Sequence, residues 1–126
     1  MTRRALVVDD AADLRLVMRL ALEDAGWRVV EAADGAEAVE HLETSPEPPD
    51  LMLLDLRMPV LDGRGVLDWM AEHGWSDRLP VVVLSAWADR VTAGELSARG
   101  YRWLGKPFDM AELLDLVAGI GDRGSP

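Results

Sequence analysis

Cysteine is absent from the 126 residues, which excludes disulfides and thiolate metal sites and leaves the redox compartment open. Lysine is nearly absent too, with one residue, Lys106, against twelve arginines. Basic charge as a whole is scarce: 13 basic side chains face 23 acidic ones, for a formal charge of −10. That balance disfavours a grip on nucleic acid or anionic membrane and suits a cation or a basic partner. Long apolar runs are missing as well. In "MTRRALVVDD" the run stops at Val8, too short for a signal peptide, and no stretch reaches membrane-spanning length. A cytoplasmic, soluble protein is the expectation.

What is present is a 49% hydrophobic chain of single-domain length, enough for one core. Short apolar runs alternate with longer segments of helical period, the pattern of βα units around a parallel sheet. Strands are predicted near 4–8, 27–32, 51–54, 80–84 and 101–105, as runs without strict alternation that suit burial on both faces. Between them, Leu14, Val17, Met18, Ala21, Leu22 and Ala25 form an apolar stripe that Gly26 ends. Further helices are predicted near 35–43, 64–73, 88–99 and 109–119. The fourth is the weakest, because Gly94 in its middle costs about 1 kcal/mol against alanine. The proline-rich "TSPEPPD", 44–50, is a connection, since the strand pattern resumes at once. One domain is expected over 1–120, with 121–126 a flexible C-terminal tail.

The residues after each strand carry the chemistry. Strand one runs into Asp9 and Asp10, strand three into Asp55, strand four into Ser85 and strand five into Lys106 and Pro107. In an open parallel sheet the strands' carboxyl ends share one edge, where ligands bind, so these groups should converge. Each alone has an ordinary structural reading: the acid pair as a helix cap, Asp55 as a turn residue, Ser85 as a satisfied hydroxyl, Lys106 as a solvated charge. Together they point elsewhere. Three carboxylates at one edge repel, and a hard divalent cation, magnesium or manganese, relieves them. An aspartate left free can act as a nucleophile and form an acyl phosphate. Lys106 and Ser85 could then meet phosphoryl oxygens. The only lysine standing there fits, because a compact ammonium and a planar guanidinium are not interchangeable in a confined phosphate site.

On these residues, from "ALVVDD" through "LMLLDLRMPVLDG" and "LPVVVLSA" to "LGKPF", the chain resembles the receiver domain of two-component response regulators. The resemblance implies a flavodoxin-like α/β fold, a doubly wound five-stranded parallel sheet of order 2-1-3-4-5 with five flanking helices. It implies that Asp55 accepts a phosphoryl group from a histidine kinase or phosphotransfer protein, and that Asp10 and Asp55 ligate magnesium directly. Asp9 would act mostly through water, and the Arg57 backbone carbonyl would complete the set. Ser85 and Lys106 would hold phosphoryl oxygens, and the Lys106–Pro107 peptide would be cis. Such a chain is not a free-standing enzyme but catalyses its own phosphoryl transfer and dephosphorylation.

Three positions depart from the family pattern. Ala11 stands where a third acid is common, the segment from Gly100 to Lys106 is one residue short, and Trp103 replaces a smaller switching aromatic. With Trp87 and Tyr101, Trp103 is expected to form a partner face around the fourth helix and fifth strand and to stay largely outward. His41 and His73 are expected on helix surfaces, and Trp27, Trp69 and Trp75 as packing residues. A flavin binder would need a glycine- and hydroxyl-rich loop in place of "DDAAD". A haloacid-dehalogenase-type phosphatase would need an acid where Arg57 stands. The closest rival is a receiver-like interaction module that works without phosphorylation. No output domain follows in the 126 residues, so the resemblance is to single-domain receivers, expected as monomers, whose effector is an unidentified protein.

Overall fold

The computed structural model describes residues 3–75, 78–86 and 90–122. Strands and helices alternate: β1 (Arg4–Val8), α1 (Ala12–Asp24), β2 (Arg28–Ala32), α2 (Gly35–Thr44), β3 (Leu51–Asp55), α3 (Gly63–Glu72), β4 (Val81–Ala86), α4 (Arg90–Ala98), β5 (Arg102–Lys106) and α5 (Met110–Asp122). All pairings are parallel and the order is β2-β1-β3-β4-β5, as the resemblance implied. The order reverses between β1 and β3, which opens the crevice there.

Successive strand residues point to opposite faces, and the two cores divide along that alternation. Leu6, Val8, Met52, Leu54, Val81 and Val83 pack with Ala38, Leu42, Val66, Leu67, Met70 and Leu96 from α2, α3 and α4. Ala5, Val7, Leu51, Leu53, Val82 and Leu84 pack with Met18, Leu22, Leu113, Val117 and Ile120 from α1 and α5. The inner strands β1, β3 and β4 are therefore buried on both faces, as predicted.

The outer strands correct that prediction. In β2 Val30 is 39% exposed, and no residue of β5 is fully buried, because an edge strand has a neighbour on one side only. The α1 stripe is also narrower than its period suggested: Met18 and Leu22 are buried, Leu14 and Ala21 half-buried, and Val17 and Ala25 exposed. A helix over a twisted sheet presents only its central rows to the core. The fifth helix runs to Asp122, beyond the predicted end at 119 and into the expected tail; residues 123–126 of that tail lie outside the described residues. The connection 44–50 is tied to β1. The Asp50 N–H donates to the Arg4 carbonyl at 2.8 Å and its carboxylate accepts from the Arg4 N–H at 2.9 Å, while Arg4 pairs with Glu47 at 2.6 Å.

Both Asp-Gly pairs start helices. Asp34 accepts from the Glu37 N–H at 2.9 Å and Asp62 from the Gly65 N–H at 2.8 Å, each capping an orphan donor. The glycines that follow pack backbone against backbone. A methyl at Gly35 would overlap the Leu61 carbonyl, and one at Gly63 would overlap the Asp55 carbonyl and sit 2.8 Å from Leu56 Cα. Glycine at 63 thus lets α3 close against the end of the strand that carries Asp55.

Candidate functional site

The carboxyl ends of β1, β3 and β5 bring Asp9, Asp10, Asp55 and Lys106 together. One oxygen from each of the three carboxylates lies within 4.8 Å of the others. Asp9 and Asp55 are buried, while Asp10 is exposed. The Lys106 ammonium donates to Asp9 Oδ2 at 2.8 Å and lies 3.4 Å from Asp55 Oδ1. It reaches across β3 and β4 from the far edge of the sheet, and the Lys106–Pro107 peptide is cis.

The electrostatics follow from two buried acids, Asp9 and Asp55, sharing one ammonium. Burial, and then the neighbouring Asp9 charge, push the Asp55 carboxyl up from 3.8 to about 6, against the pull of Lys106 and of the Arg57 N–H. Burial works against the Lys106 ammonium, but its hydrogen bond and ion pairs with Asp9 and Asp55 outweigh it and hold the lysine above its ordinary value. Asp55 is therefore a carboxylate whose charge is under-compensated, the condition that a divalent cation would relieve. The donor set is all oxygen and sits at an open edge, which suits magnesium or manganese.

Ser85 is the penultimate residue of β4, one beyond the Leu84 that pairs with Asp55. Its buried hydroxyl donates to the Ala86 carbonyl at 3.2 Å. Arg57 is the second residue after β3, and its N–H donates to Asp55 Oδ1 at 3.4 Å. Tyr101 and Trp103 are half-buried and pack against the core on the α2–α3–α4 face, so Trp103 does not stand out into solvent as expected. Trp87 lies outside the described residues. His73 is exposed at the end of α3, stacked on Trp69 with ring centroids 4.3 Å apart, and His41 is half-buried on α2. The cluster of possible metal-holding side chains found among the described residues contains neither.

Sequence reasoning missed Arg15, Glu31, Gly35 and Gly63. The glycines had a legible signal, each following an aspartate at a helix start. Arg15 had none beyond its helical position: its guanidinium donates to the Asp9 carbonyl at 2.7 Å and to Glu31 at 3.1 Å.

A family profile, the response regulator receiver domain, matches residues 5–118. The chain belongs to the response regulator receiver domains. It is 41% identical over 126 residues to the transcriptional regulatory protein PrrA of Mycobacterium tuberculosis, covering 97% of this chain and 52% of that one. Among solved structures, the signal receiver domain of a LuxO repressor protein from Vibrio parahaemolyticus has a TM-score of 0.87 at 27% identity, over 98% of this chain and 92% of that one. The chemotaxis response regulator CheY4 of Vibrio cholerae has a TM-score of 0.84 at 28% identity, over 95% of this chain and 99% of that one. The chain spans about half the length of the curated relatives it matches, 44% to 52% of the first three. Receiver domains serve phosphorylation-dependent signalling, generally bind magnesium through an acidic pocket, and interact with histidine kinases or phosphotransfer proteins. No helix among the described residues is long and apolar enough to cross a membrane.

Proposed function

We propose that this receiver accepts a phosphoryl group from a kinase phosphohistidine onto Asp55 and uses the change to alter a partner-binding face around α4 and β5. The observation that carries the reading is the meeting of Asp55 with Asp9, Asp10 and Lys106 at the sheet's carboxyl edge. With its carboxyl near 6, Asp55 is largely ionised at neutral pH, yet poorly neutralised. Such a group is poised as a nucleophile.

In the proposed transfer an Asp55 oxygen attacks phosphorus, the phosphorus–nitrogen bond to imidazole breaks, and the ring nitrogen leaves and takes a proton from water. The product is an acyl phosphate on Asp55. Magnesium or manganese, held by Asp10, Asp55 and the Arg57 carbonyl with Asp9 through water, would neutralise carboxylate and phosphoryl charge. Lys106 would shift from its aspartate partners to one phosphoryl oxygen. The Ser85 hydroxyl would turn from the Ala86 carbonyl to another. That turn would draw the end of β4 towards the site, and Tyr101 and Trp103, half-buried and packed against the α2–α3–α4 core, would respond to it as part of the partner face expected from Trp87, Tyr101 and Trp103. We assign the chain through the end of α5 at Asp122 to the receiver. Cytoplasmic placement and a monomeric state fit the acidic charge, which disfavours nucleic acid contact by these residues.

The test is intact-mass detection after incubation with acetyl phosphate and magnesium. One phosphoryl group should be gained, and Asp55→Asn should gain none. Equal labelling of the variant would move the acceptor elsewhere. A wild-type chain that takes no label would favour the phosphorylation-independent interaction module.

A further inference from the structure

Asp9 is held at all its polar atoms. Its N–H donates to the Ala32 carbonyl at 3.2 Å, its Oδ1 accepts from the Ala11 N–H at 2.9 Å, and its Oδ2 accepts from Lys106 at 2.8 Å. The fourth contact comes from outside the proposed chemistry, the Arg15 guanidinium on the Asp9 carbonyl at 2.7 Å. β1 ends at Val8, so this carbonyl lies just beyond the strand. The same guanidinium donates through Nε to Glu31 Oε1 at 3.1 Å, and Glu31 Oε2 accepts from Arg19 at 2.9 Å. Hydrogen bonds from Arg19 and then Arg15 outweigh burial and keep Glu31 below the ordinary carboxylate range, so the anchor is charged.

A peptide unit is planar, so holding the Asp9 oxygen also orients the nitrogen and Cα of Asp10. Asp10 is exposed at the rim, and the place of its carboxylate depends on that plane. We propose that Arg15 is a positioning residue for the cation: braced by Glu31, it fixes the Asp9–Asp10 peptide and thereby aims Asp10 at the metal. The brace requires a planar fork with donors in two directions, which arginine has. This rests on the cation site of the proposed function.

The sign of the effect separates positioning from charge. Arg15 brings a positive charge to within one peptide of a cation site, so by Coulomb attraction and repulsion alone its removal should tighten cation binding. Loss of positioning should weaken it, by about 10-fold or more for a partner that orients a ligand. The experiment is calorimetric titration of Mn2+ into the metal-free wild type, Arg15→Gln, Glu31→Gln, Arg19→Gln and the Arg15→Gln/Glu31→Gln double variant. Amide hydrogen exchange at Asp10 is followed in parallel.

Arg15→Gln should weaken Mn2+ binding about 10-fold and speed exchange at Asp10. Glu31→Gln should do less, and the double variant no more than Arg15→Gln, because both residues serve one brace. Arg19→Gln, which touches Glu31 but not Asp9, should stay within about twofold. Should Arg15→Gln fail to fold, Arg15→Lys keeps the charge, loses the fork, and should also weaken binding. Unchanged or tighter Mn2+ binding by a folded Arg15 variant overturns the brace, as does an equal loss in Arg19→Gln. A wild type that binds no Mn2+ would bring down the cation site and the brace together.

Discussion

The two halves of the sheet differ in how tightly they are held. On one side, every residue of β3 is buried and Asp9 is tied at each polar atom. On the other, β5 is only half-buried along its length, the Ser85 hydroxyl donates to its neighbour's carbonyl at 3.2 Å, and α4 carries Gly94 in its interior. The acids that would hold a cation and receive a phosphoryl group stand on the stiff half. The groups that would carry a change outward stand on the soft half, and Lys106 bridges the two. A nucleophile requires fixed geometry, whereas a switch requires two arrangements close in free energy.

Truncating the cores on each side tests this contrast most strongly. Leu54→Ala, in β3 and fully buried, should cost about 3 to 4 kcal/mol in urea unfolding. Leu104→Ala, in half-buried β5, should cost about 1 kcal/mol, because less area leaves water on folding there. Equal costs would remove the distinction between the halves.

Asp55 gives the next largest effect, through pH. Its carboxyl is raised to about 6 in the folded chain, so the native state binds this proton more tightly than the unfolded state does. The contribution of protonated Asp55 is complete below about pH 4 and is lost as pH rises through about 6, on the order of 2 to 3 kcal/mol in all. Without metal, Asp55→Asn should therefore gain on the wild type across that window. Magnesium should narrow the gap. A stability difference that stays flat from pH 4 to 6.5 would mean that Asp55 is not strained.

Gly63→Ala should cost about 2 kcal/mol, since its methyl meets the Asp55 carbonyl and Leu56 Cα. It should also slow acetyl phosphate labelling, because the strand end must shift to admit it. A loss of stability with unchanged labelling would show that α3 does not set the nucleophile's position. Gly94→Ala is the mildest change. Nothing lies within 4 Å of a methyl there, so α4 should gain about 0.5 to 1 kcal/mol. If the softness of α4 serves the switch, this variant should label normally but respond less to phosphorylation, read as amide exchange across α4.

The strands, helices and their alternation were legible because local period and turn chemistry agree with the final fold. Errors fell where neighbours decide: Val30 lies on an edge strand, Val17 on the flank of a helix, and residues 120–122 in a final helical turn. Asp9, Asp10, Asp55 and Lys106 were legible as residues following strands, since parallel topology gathers such positions at one edge. The Asp-Gly signal marked Gly63 as a helix start but not its contact with Asp55, and Arg15 and Glu31 had no signal, because their roles depend on distances between side chains and backbone that only the folded chain sets.

The sequence by itself determined the parallel sheet, the acids at its edge and the use of a lone lysine there, all of which follow from local pattern and residue chemistry. Only the tertiary structure decided that Lys106 joins Asp9 to Asp55, that burial lifts the Asp55 carboxyl, and that Arg15 holds the Asp9 carbonyl. Those depend on ångström-scale spacing and on exclusion of water, and neither exists until the strands have paired and the helices have closed over them.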